Sequence, residues 1–139
     1  MDAMDLETLS VTELLPGSII SLTARRENKV YRFESFVLEL SEQADIAYAD
    51  TLDGDFVIIE PIKVDDKIVK FVTEGINYYF IGNHKGKPYL FENIFIEKVK
   101  FPSYGVVHVL RAAKDGRRFN RRDNFRVWLG QYCHIALRG

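Results

Sequence analysis

Tyr89–Leu90–Phe91–Glu92–Asn93–Ile94–Phe95–Ile96–Glu97–Lys98–Val99–Lys100–Phe101 reads as one long β-strand, rich in Phe and Ile. Aromatic and β-branched side chains suit the pleated, half-buried surface of a sheet. Pro102 breaks the run, because proline cannot donate to a ladder. Before it, Gly82–Pro88 is the most turn-rich loop of the chain, and after it Gly105–Ala113 reads as a further strand. A strand of this length suits the bending that closes a small antiparallel barrel.

Towards the N-terminus the pattern continues in short strands joined by polar turns. Phe56–Val57–Ile58–Ile59 is apolar in both parities, so both of its faces are expected to be covered. Asp53–Gly54 between Ile46–Tyr48 and Phe56–Glu60 predicts a two-residue hairpin. Ile68–Thr73 and Ile76–Ile81 follow as strands after Asp65–Asp66–Lys67 and Glu74–Gly75. In Val30–Leu40, Tyr31 and Phe33 share one parity while Phe36, Leu38 and Leu40 share the other. That slip near Glu34–Ser35 predicts a β-bulge. Arg25–Lys29 forms a hairpin loop after the strand Ile19–Leu22. Residues 2–14 offer one or two helical turns, capped by Ser10 or Thr12 and stopped at Pro16–Gly17; no helix of convincing length follows. The expected fold is all-β: a small antiparallel split barrel, followed by a basic C-terminal linker and one terminal strand.

Composition narrows the class of protein. The 139 residues are 47% hydrophobic and 13% aromatic, enough for a packed core. The net charge is −1 but unevenly spread: residues 111–139 hold eight Lys and Arg against two Asp, and residues 1–110 hold eleven against eighteen Asp and Glu. Such asymmetry points to a basic tail that seeks an anionic ligand or an acidic surface, its own included. Cys133 is the only cysteine, so no internal disulfide is expected. No apolar run approaches the length of a membrane helix, and the acidic start Met1–Glu7 has none of the marks of a signal peptide. Membrane insertion is not expected, and a cytoplasmic setting is.

Asp115–Gly116–Arg117–Arg118–Phe119–Asn120–Arg121–Arg122–Asp123–Asn124–Phe125–Arg126 concentrates five arginines in the ten positions from Arg117 to Arg126. A guanidinium grips a phosphate or the Hoogsteen edge of guanine with two parallel hydrogen bonds, and its face stacks on bases. Arg122 and Arg126, four apart, can face one ligand in a strand or a helix. Charge alone favours a solvated basic linker, partly neutralised by Asp115 and Asp123. The composition shift places a domain boundary at residue 113, with 1–113 the β-domain and 114–139 the linker and terminal strand.

Arg121–Arg122–Asp123–Asn124–Phe125–Arg126–Val127 resembles the Arg-x-x-x-Arg signature that opens a PilZ domain, a receptor domain for cyclic di-GMP. Leu15–Pro16–Gly17, the succession of hairpins and the arginine linker are similar in layout to the N-terminal domain of YcgR-like flagellar-brake proteins. The resemblance implies cyclic di-GMP as ligand and Arg121, Arg122 and Arg126 as contacts, with Arg117, Arg118 and Asn120 as candidate additional contacts. It implies a non-enzymatic signalling module without cofactor. Its partners would be the rest of a PilZ barrel and flagellar motor proteins. The second PilZ signature, Asp/Asn-x-Ser-x-x-Gly, does not occur, and Val127–Leu137 would supply only about one barrel strand. The expectation is a truncated PilZ barrel whose terminal strand pairs with a second copy to form a homodimer.

Two other classes are open. Small antiparallel barrels also bind flavin mononucleotide, and the basic tail would serve nonspecific nucleic-acid binding. Catalytic signals are few. His84, His108 and His134 have no metal-ligand spacing, so no metal site is expected. Cys133 and His134 are adjacent and on a strand would face opposite ways. Asn83–Lys87 reads as a hairpin tip rather than a phosphate cradle, and at least one of Tyr78, Tyr79 and Phe80 is expected in the core.

Overall fold

The computed structural model describes residues 7–119. The described chain is antiparallel β with one short helix. Its strands are β1 (Thr8–Leu9), β2 (Ile19–Arg26), β3 (Lys29–Phe36), β4 (Phe56–Ile59), β5 (Lys63–Val64), β6 (Lys67–Ile68), β7 (Asn77–His84), β8 (Lys87–Glu92), β9 (Ile94–Phe101), β10 (Gly105–Ala112) and β11 (Gly116–Arg118). The helix α1 spans Gln43–Ala49. No described helix is long and apolar enough to cross a membrane.

Hydrogen bonding divides the strands into a six-stranded sheet, β1-β11-β8-β7-β2-β3, a three-stranded sheet, β4-β10-β9, and the ribbon β5-β6. The all-β class expected from sequence is present, but the ladders do not run round a closed barrel. Two corners join the larger sheets instead. At one, an isolated bridge pairs Val37 with Ile59. At the other, the stretch Tyr89–Phe101 is two strands rather than one. Its first part pairs with β7 and its second with β10, and Asn93 between them has φ 54°. Asparagine tolerates this left-handed conformation better than most residues.

The phase of burial changes at that corner. Tyr89 and Phe91 point inward before it, Ile94 and Ile96 after it, and Phe95 is left exposed. The inward faces of both sheets share one core with Leu22, Ile59, Phe80 and Leu110. Phe80 stacks on Phe91 with centroids 4.6 Å apart and planes 13° from parallel. The opposite face of the three-stranded sheet has its own cluster, with Ile58, Phe101, Val107 and Val109 packed under Leu38, Tyr48 and Leu52. The expectation that Phe56–Ile59 is covered on both sides is therefore met.

Several local expectations are corrected. Ile46–Tyr48 is helical, not a strand, so Asp53–Gly54 does not close a hairpin. Ala44, Ala47 and Ala49 favour helix, and Tyr48 sits edge-on to Phe101 at 5.1 Å. Asp45, 1% exposed, fixes α1 by accepting from the Ser103 and Tyr104 amides at 2.8 and 3.0 Å. The β2–β3 ladder pairs without a break from Ile19↔Phe36 to Arg26↔Lys29, so there is no bulge at Glu34–Ser35. The mixed phase there arises because β3 ends at Phe36, and beyond it Leu38 and Leu40 pack against the cluster of Ile58, Phe101, Val107 and Val109. Within the predicted N-terminal helix, residues 8–9 form β1 and Val11–Glu13 a single 3-10 turn, capped by Ser10 with Glu13 closing the capping box. Only Ile68 of the predicted strand Ile68–Thr73 lies in a ladder.

The corner predicts an asymmetric tolerance. Asn93→Gly should fold with little change, whereas Asn93→Val should cost about 1–2 kcal/mol, since a β-branched residue is poorly accommodated at positive φ. Urea unfolding of the two variants measures the difference.

Candidate functional site at the root of the basic segment

The basic stretch begins inside the sheet. Gly116–Arg118 form β11, held between β1 and β8. Gly116 faces the core, where a Cβ would lie 2.6 Å from the Phe91 ring, so only glycine fits without displacement. Arg117 points outward, opposite Leu90, and its Nη2 donates to Glu92 Oε1 at 3.2 Å. Arg118 donates to Glu7 Oε1 at 3.3 Å. Its backbone N–H reaches the Glu7 carbonyl at 3.1 Å, and Phe119 N–H reaches the Pro88 carbonyl at 2.9 Å. Tyr89, itself buried, donates its hydroxyl to the second Glu7 oxygen at 2.9 Å. That bond, with the Lys87 and Arg118 charges, holds the Glu7 carboxyl below its ordinary range. Burial, then Glu7, pushes the Tyr89 hydroxyl up.

Arg117 and Arg118 thus meet acidic groups of their own domain, as the charge asymmetry allowed. Exposed ion pairs of this kind add little stability. Their effect is local neutralisation at the point where the chain leaves the sheet. Asn120, Arg121, Arg122 and Arg126 lie outside the described residues, as do Cys133, His134 and the predicted strand Val127–Leu137.

Other sequence candidates fall into structural places. Tyr78 and Phe80 are core, while Tyr79 lies on the outer face of the six-stranded sheet beside Thr23, Arg25 and Arg32. Burial pushes its hydroxyl up, against the hydrogen bond with Thr23. His84 ends β7, and Lys85–Gly86 forms a two-residue turn with φ 54° and 80° before β8, which makes residues 83–87 a hairpin tip. No group of three metal-ligating side chains occurs among the described residues.

Sequence reading missed two polar anchors. Arg111 on β10 donates to Glu97 at 2.8 Å, reaches the Asp53 carbonyl, and lies 5.5 Å over the Phe56 ring. His108, fully buried, clamps the base of the β5-β6 ribbon. Its Nδ1 accepts from Ile62 N–H at 3.1 Å, and its Nε2 lies 2.7 Å from the Val69 carbonyl. A carbonyl only accepts, so the hydrogen is on Nε2 and the imidazole is neutral. Both residues read only as positions in the strand Gly105–Ala113; neither contact has a sequence signal.

Comparisons of the chain with models of protein families, with curated proteins and with solved structures return no match.

Burial lowers the His108 imidazole below its ordinary 6.5, and Lys98 adds to the lowering against the opposing Val69 bond. The unfolded chain then binds a proton that the folded chain refuses. The clamp's contribution is complete above about pH 6.5 and is lost as pH falls towards the folded value. Chemical denaturation from about pH 7 to about pH 5 should show falling stability, with a shallower slope in His108→Gln. Equal slopes would contradict the assignment.

Proposed function

We propose that this chain is a non-enzymatic, cytoplasmic signalling module whose basic segment grips cyclic di-GMP, with Arg121, Arg122 and Arg126 as the contacts. The observation that carries this reading is the sequence Arg121–Arg122–Asp123–Asn124–Phe125–Arg126–Val127, which begins two residues beyond the anchored Phe119. The anchoring supports it physically. The backbone bonds of Arg118 and Phe119 fix the root of the segment, and Arg117 and Arg118 already lie against Glu92 and Glu7, which leaves ligand contact to the arginines further on. A dianionic guanine dinucleotide would draw Arg122 and Arg126 onto its phosphates and guanine edges through charge-assisted hydrogen bonds. The effect of binding would be passed to whatever follows the segment or docks on the β-domain. In this reading the partners are the remainder of a PilZ barrel and, for output, flagellar motor proteins.

Calorimetric titration of cyclic di-GMP into the chain tests this. Binding is expected to weaken about a hundredfold or more in Arg122→Ala/Arg126→Ala, which removes two charge-assisted contacts. Absence of binding to the unaltered chain, or equal binding by the double variant, would overturn the reading.

A further inference from the structure

The β5-β6 ribbon pairs only with itself, and side chains hold it to the rest of the molecule. Its base is the pair Ile62 and Val69, where Val69 N–H donates to the Ile62 carbonyl at 2.9 Å. The His108 ring, 0% exposed, is set against this pair: Nδ1 accepts from Ile62 N–H, and Nε2–H donates to the Val69 carbonyl. Two residues further on, the Phe71 ring stands nearly perpendicular to Phe33, Tyr78 and His108, with centroids 5.4, 5.8 and 5.1 Å away. The Tyr78 hydroxyl donates to the adjacent Val72 carbonyl. Phe33 and Tyr78 belong to the six-stranded sheet and His108 to the three-stranded one. Residues 62–72 therefore bridge the two sheets, with Ile62, Val69 and Phe71 packed on their shared core.

The two His108 bonds tolerate one protonation state. A neutral imidazole with its hydrogen on Nε2 offers one acceptor and one donor, as the pair requires. An imidazolium carries hydrogen on both nitrogens and has no acceptor. Its Nδ1–H would then face Ile62 N–H, donor against donor. A buried unpaired donor and a buried charge are both costly. The surroundings offer the charge no counter-ion. Across the ladders β9 sets Lys98 opposite His108, and β4, which has no ionisable residue, sets Ile59 there. The ribbon presents Ile62 and Val69, while Lys63, Lys67 and Lys70 are exposed. Tyr78, the ionisable group of the ring cluster, has its hydroxyl engaged with Val72. Burial holds the imidazole neutral; the Val69 bond opposes this, and Lys98 adds to it.

We propose that residues 62–72 are an acid-released strap: protonation of His108 expels the Ile62 and Val69 pair, and the strap lifts from the two sheets while their ladders stay intact. The ladders β2–β3, β2–β7, β7–β8 and β9–β10 contain no strap residue, so they do not need it closed. Such a local opening costs less than unfolding the domain. The freed ring takes up a proton that the closed form refuses, so each step below about pH 6.5 favours the open form. Lifting carries Phe71 away from Phe33 and Tyr78 and uncovers an apolar surface that spans both sheets. The device is independent of the ligand reading.

Amide hydrogen exchange of the full chain, followed by NMR from about pH 7 to about pH 5 and expressed as protection relative to an unstructured peptide, tests the proposal. The Ile62 and Val69 amides are expected to be less protected than those of Leu22 and Phe80 on the central strands at every pH. Their protection is expected to fall about tenfold or more over the range. In His108→Gln, which cannot take up the proton, that fall is expected to vanish. Nitrogen-15 NMR of the imidazole in the unaltered protein keeps the test if the variant does not fold. It should show hydrogen on Nε2 at about pH 7, and an imidazolium that appears in step with the loss of protection. Strap amides as protected as Leu22 and Phe80, or a protection that does not change with pH, overturn the proposal. So does a fall retained in His108→Gln, or an imidazolium formed while Ile62 and Val69 stay protected.

Discussion

Phe91 is the side chain on which the rest of the structure depends. Its ring is fully buried, stacks on Phe80 of β7, and lies directly beneath Gly116 of β11. It also stands two residues before Asn93, where the chain leaves one sheet for the other. One ring therefore joins the centre of the core, the corner that brings the two sheets face to face, and the strand from which the basic segment departs. Tight interiors do not absorb added volume easily, so glycine at position 116 is a packing requirement rather than a loosening of the chain.

Polar groups pin what the core leaves free. Asp45 ties α1 to the turn between β9 and β10, and His108 ties the β5-β6 ribbon to β10. His108 partners the Ile62 N–H, which would otherwise be buried without an acceptor, and that is costly. The acidic excess of residues 1–110 is partly spent in the same way. Glu7 and Glu92 receive Arg118 and Arg117, so part of the charge asymmetry is resolved inside the domain, at the base of the segment that carries it.

Much of this was legible in the sequence, and the failures have physical causes. The strands around Ile19–Leu22 and Ile76–Ile81 follow alternation, whereas Gly105–Ala112 is buried on both faces. The two-sided apolar run Phe56–Ile59 marks a strand between two layers. Alternation failed where neighbouring elements changed which face is covered. Leu38 and Leu40 took the parity of a bulge because, past the end of β3, they pack on the second cluster around Ile58 and Phe101. The true change of phase lies at Glu92–Asn93, a polar pair in an apolar run, and depends on a positive φ that periodicity does not reveal. Helix α1 was hidden because its seven residues are too few for a helical period, although three of them are alanine. At the candidate site, charge asymmetry left both an anionic ligand and an acidic surface open, and Arg117 and Arg118 meet glutamates of their own domain. Which glutamates they meet depends on β1 and β8 flanking β11, a long-range pairing that no local signal encodes.

The basic segment is rooted in the core through Gly116 on Phe91. The direct measurement is the unfolding free energy of Gly116→Ala, taken alone and in a Phe91→Leu background. Overpacking against the buried ring predicts a loss of about 1–3 kcal/mol in the first case, and a smaller loss in the second, where the ring is gone. A Gly116→Ala variant as stable as the unaltered protein, or equal losses in both backgrounds, would contradict it.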